Sequence, residues 1–132
     1  MGESLQPYLN ENHPDPAYQC GRLMALMAEL QRAALGNAGA GLVQRYYSAA
    51  SATPALVLGR LARTSQFNLG KLDAGLAWWY ENLIAGAWAH LRDGLPSLFD
   101  LQEQSLFALG YYQQIAFMRT RKQSVASERN YE

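Results

Sequence analysis

Apolar residues recur at helical spacing through most of the chain. Leu23, Leu26, Met27, Leu30 and Ala34 stand three and four apart, so a helix from Pro16 to about Leu35 gathers them on one side. Asp15-Pro16 supplies its start, because the carboxylate accepts from orphan amides and the proline has no N–H to leave unpaired. Gly36-Asn37 stops it, and Gly39 and Gly41 keep the connector loose. A short helix is expected around 42–50. Thr53-Pro54 then opens a longer one, with the Thr53 side chain as its cap. Leu58, Leu61, Ala62, Ser65, Leu69 and Leu72 fall on one side of that helix. Arg60, Arg63, Phe67 and Lys71 fall on the other, provided the helix continues through Gly70.

A tryptophan-rich helix over 73–91 carries Trp78, Trp79, Tyr80 and Trp88, and Asp93-Gly94-Leu95-Pro96 ends it. Asp100, with Glu103 three residues on, forms a capping pair for a last helix from Leu101 to about Met118. No stretch alternates with period two, and no internal repeat is found. The expectation is an all-α fold, an antiparallel helical bundle of about five helices over 15–118. An extended leader over 1–14 precedes it, and a polar basic tail over 119–132, expected to fray, follows.

At 132 residues the chain suits one domain with a real core, and its 49% hydrophobic content excludes a disordered composition. The net charge of zero hides segregation. Arg22, Arg32, Arg45, Arg60, Arg63 and Lys71 face only Glu29 between residues 17 and 71, whereas residues 1–16 are acidic and 72–132 slightly so. The polar, proline-containing start has no secretory-signal pattern, and the apolar runs fall short of a membrane span. One cysteine, Cys20, allows no intrachain disulfide and fits a reducing cytoplasm.

Catalytic patterns are missing. His13 and His90 lie far apart, and neither has a Cys, Asp or Glu at metal-ligand spacing, so no metal and no cofactor is expected. His90 reads as a helix-end residue on the dipole, and Cys20 as a packed small hydrophobe. Gly36–Gly41 lacks the Lys-Ser/Thr of a phosphate loop, and Asp93 and Asp100 read as turn and cap residues. No enzyme is expected. Tyr111-Tyr112 and Trp78-Trp79 read as core and interface. Arg32 has Glu29 three residues away to pair with.

The chemistry that remains is electrostatic. Arg60, Arg63 and Lys71 with Phe67 between them can follow a phosphate backbone while the ring offers a stacking surface. No carboxylate stands at i±3 or i±4 on that face, and Arg45 adds the same sign. Arg119, Arg121 and Lys122 form a second cluster, a dipole complement or a phosphate-reaching tail.

Three blocks occur in order: Tyr18-Gln19-Cys20-Gly21-Arg22-Leu23, the long run from Arg45-Tyr46-Tyr47 through Ser51-Ala52-Thr53-Pro54-Ala55, and Leu106-Phe107-Ala108-Leu109-Gly110-Tyr111-Tyr112-Gln113-Gln114. Together they resemble the C-terminal region of the large subunit of the type I-C CRISPR surveillance complex (Cascade), over about residues 16–118. In that family the region is also made separately, by internal initiation, as a free small subunit, and a chain that starts at Met1 shortly before the helical domain is similar to it. The resemblance implies a non-catalytic helical bundle, in contact with Cascade backbone subunits, the large subunit and further copies of itself. It would brace the guide RNA–target DNA heteroduplex and the displaced DNA strand. The nucleic-acid contacts expected at Arg45, Arg60, Arg63, Lys71, Arg119, Arg121 and Lys122 come from charge and helical geometry. A purely structural helical adaptor making only protein contacts is the alternative.

Overall fold

The computed structural model describes residues 9–36 and 41–130, apart from the side chains of 44 and 121–130. The first eight residues of the expected leader therefore lie outside the described residues. Five helices make the fold: α1 (Pro16–Leu35), α2 (Leu42–Ala52), α3 (Pro54–Leu69), α4 (Ala74–Trp88) and α5 (Leu101–Asn130). No strand occurs among the described residues.

The centre of the bundle is α1. Its start forms as the sequence suggests, with Asp15 Oδ1 accepting from the Ala17 amide at 2.8 Å. Gly36 ends it at φ 61°, a left-handed conformation that glycine adopts without a Cβ penalty. The apolar stripe understates its burial, because every residue from Ala17 to Leu30 is buried. The reason is topological: α5 packs along α1 most extensively, while α3, α4 and α2 cover its other sides.

Where α1 meets α5, the two backbones touch. A Cβ on Gly21 would overlap the carbonyl oxygen of Phe107, and one on Gly110 would overlap that of Tyr18. Tyr18 thus faces Gly110 while Gly21 faces Phe107, so the helices run in opposite senses across the contact.

Two helix ends differ from expectation. Thr53 does not cap α3 with its side chain; its hydroxyl donates back to the Ala49 carbonyl at 3.0 Å. A tertiary partner takes over instead. The Ala55 amide donates to Pro96 O at 3.1 Å, and the Phe99 amide to Ala52 O at 2.9 Å, which ties the α2–α3 junction to the segment before α5. At the other end, α3 stops at Leu69, and turns closed by Lys71 N to Asn68 O and Leu72 N to Leu69 O lead out of it.

The last helix starts as expected, with Asp100 and Glu103 exchanging backbone-to-carboxylate bonds of 2.9 and 2.8 Å. It then runs past Met118 to Asn130. Residues 111–130 contain no glycine or proline and several strong helix formers, so nothing local breaks the helix.

Candidate nucleic-acid interface

The charged side chains expected to meet nucleic acid separate into groups. Arg60 and Arg63 are exposed and stand three residues apart on α3, with Phe67 four further on and 74% exposed. Leu58, Leu61, Ser65 and Asn68 are buried on the opposite side, so α3 divides as its pattern requires. Lys71 is exposed but lies in the turn beyond the helix, because α3 ends before Gly70. Its position on the stripe is therefore set by that turn and not by helical periodicity.

Arg45 is exposed on α2, which packs on α3. Arg119 is exposed on α5, a helix with no sizeable contact to α3. Arg121 and Lys122 follow it on α5, with side chains outside the described residues. Among the described residues, the ion pairs Arg22–Glu11 at 3.9 Å and Arg32–Glu29 at 3.7 Å use none of Arg45, Arg60, Arg63, Lys71 and Arg119.

Arg22 departs most from a charge-based reading. It counts toward the basic segment, yet its side chain is 2% exposed. Its Nε donates to Gln114 Oε1 at 2.8 Å, and Nη1 donates to Gln19 Oε1 at 2.8 Å and to Glu11 O at 3.3 Å. Burial pulls the guanidinium below its ordinary range while Glu11 opposes the shift. The buried Gln19 also donates to the backbone of Glu11 and His13. His13 stacks on Tyr18 with ring centroids 4.2 Å apart. These contacts fasten residues 9–15 to α1.

The held segment forms one wall of a cleft of about 210 Å³ against α4, bounded by Glu11, Asn12, Arg22, Asn82, Leu83, Gly86 and His90. The sequence offered no signal for this cleft, since its walls come from three segments brought together only by folding. His90 sits in the turn after α4, as a helix-end residue should, and also lines the cleft.

Cys20 is fully buried, and desolvation, aided by the Asp15 charge, pushes its thiol up to about 12. It behaves as a packed hydrophobe. Among the described residues, no group of three His, Cys, Asp or Glu is arranged to hold a metal, and no helix is long and apolar enough to cross a membrane. The aromatic pairs split between inside and outside. Tyr111 is buried while Tyr112 is exposed, and Trp79 is half-buried while Trp78 is 65% exposed.

The three sequence blocks converge. Tyr18 donates to Gln113 and Arg22 to Gln114, so the first block grips the third. From the middle block, the Tyr47 ring packs edge-on against Phe107 and Tyr111, with centroids 5.4 and 5.0 Å away. Cys20, Leu23, Ala50, Phe107 and Tyr111 from the three blocks thus meet in one core.

No curated protein matches the chain. A family profile does, that of CRISPR-associated protein (Cas_Csd1), and it aligns with residues 2–118, which include all three blocks and the whole α1–α5 crossing. With most of its length matched, this helical chain belongs to the Cas_Csd1 family of CRISPR-associated proteins.

Proposed function

We propose that this chain is a non-catalytic, cytoplasmic small subunit of a type I-C Cascade, and that it braces the guide RNA–target DNA heteroduplex and the displaced strand through backbone contacts. Family membership supports a place in a Cascade complex. The observation that carries the finer reading is the α3 surface, where Arg60 and Arg63 are exposed, with no carboxylate partner among the described residues, beside an exposed Phe67. Guide–target pairing supplies sequence specificity, and R-loop formation is nearly balanced, so modest backbone contacts suffice to tip it. Arg45, Lys71 and Arg119 add exposed same-sign charge, and Arg121 and Lys122 follow Arg119 along the chain with the same sign.

Reconstitution of the complex with and without this chain, across a salt series, tests the reading. R-loop yield should fall without the chain, and with Arg60→Glu/Arg63→Glu the dependence on salt should flatten. An identical yield and slope would refute it.

A structural adaptor is the second reading, favoured by α4, whose apolar sequence leaves Trp78 and Leu76 on the surface. In that case the charge-reversed chain would weaken assembly while complexes that do form bind target normally.

A further inference from the structure

We propose that the cleft between residues 11–12 and α4 receives one unstacked base of a single strand. The inference rests on the nucleic-acid reading above, but on a different surface and different chemistry.

Two charged groups at the cleft form an ion pair without a direct hydrogen bond between them. Arg22 Nη2 and Glu11 Oε2 stand 3.9 Å apart, too far for a hydrogen bond. The other guanidinium nitrogens are already engaged by Gln114, Gln19 and Glu11 O, so the head group cannot turn away. Nη2 faces the Glu11 carboxylate as a donor on a buried cation, with the carboxylate as an acceptor beside it. The base-pairing edge of every nucleobase carries a donor next to an acceptor, which is the complement of this pair.

The cleft also has room for a single ring system. Its volume of about 210 Å³ falls below the roughly 300–1,000 Å³ of ordinary ligand pockets, which suits a single base. Gly86 contributes no side chain to the α4 wall, and a Cβ there would meet nothing within 4 Å. Asn82 uses its Nδ2 on the Trp78 carbonyl, which leaves its Oδ1 as a further acceptor, and the His90 ring adds a polar group at the rim.

Gly86 provides a variant that projects a side chain into the cleft, because leucine is a better helix former than glycine and its Cβ meets nothing within 4 Å. The full-length chain is titrated with a short mixed-sequence single strand and with the same backbone made abasic throughout. Wild type should bind the intact strand about tenfold more tightly than the abasic one. Gly86→Leu should lower that ratio to the share that Phe67 stacking leaves, and Gly86→Leu with Phe67→Ala should bring it near one, abasic binding being unchanged in both; Gly86→Ala, too small to fill the cleft, should keep the wild-type ratio. Equal affinity of wild type for the two strands, or a ratio untouched by Gly86→Leu, overturns the base site while leaving the backbone reading standing. Failure of wild type to bind either strand overturns both.

Discussion

Gly21 of α1 and Gly110 of α5 occupy reciprocal positions at one crossing, each lying against a backbone carbonyl of the other's helix. Neither space admits a methyl group. The main partner of the central helix therefore sits at a backbone-to-backbone distance that only these two residues allow, and the Tyr18–Gln113 and Arg22–Gln114 bonds close on either side of it.

Gly21→Ala or Gly110→Ala should destabilise the fold by about 3 kcal/mol or more, since the obstacle is backbone and cannot rotate aside. Gly59 offers the contrast: it is exposed within α3, and a Cβ there meets nothing within 4 Å. Gly59→Ala should stabilise by about 0.5–1 kcal/mol through helix propensity alone. Denaturant titration followed by circular dichroism measures all three. Unchanged stability in either crossing variant would contradict the close approach.

Arg22→Ala should cost about 3 kcal/mol, because it strips the buried Gln19 and Gln114 of their partner and releases residues 9–15. Arg22→Lys should rescue little. A single ammonium cannot reproduce the guanidinium's fork toward Gln114, Gln19 and Glu11 O. Hydrogen exchange over residues 9–15 distinguishes loosening of this segment from global unfolding.

Phosphate contacts should be countable at α3. Replacing Arg60 or Arg63 by Gln should each lower the slope of log affinity against log salt by about 1. Phe67→Ala should leave that slope unchanged and weaken single-strand binding through lost stacking. Filter binding or anisotropy across a salt series reads both effects.

Alkaline pH should unfold the chain earlier than its composition alone suggests. Burial raises the Cys20 thiol from 9.0, and the Tyr47 and Tyr80 hydroxyls from 10.0, each to about 12, and raises Tyr111 as well. The unfolded chain releases these protons first, so their contribution is complete below about pH 9 and is lost as pH rises toward 12. Tyrosinate absorbance should rise together with the loss of helical signal. In the native state near neutral pH, Cys20 should resist thiol reagents and react only after unfolding.

Much of the fold was legible in the sequence because it depends on local chemistry. Asp15-Pro16, Gly36 and the Asp100–Glu103 pair act within a few residues of themselves, and each sets a helix end as its residue type requires. Periodicity placed the buried and exposed sides of α3 for the same reason. Sequence alone thus determined five helices, most of their starts, the family and an exposed Arg60–Arg63 pair, but not the end of α5, which runs twelve residues past Met118.

Tertiary structure decided what local rules cannot reach. It replaced the Thr53 cap with a bond from Ala55 to Pro96, forty-one residues away, and it covered α1 on all sides where the pattern showed one stripe. It also took Arg22 out of the surface charge and set it opposite Glu11 at the cleft. A side chain's charge is written in the sequence. Whether that charge meets solvent, a carboxylate or a ligand depends on which distant segment folding brings beside it.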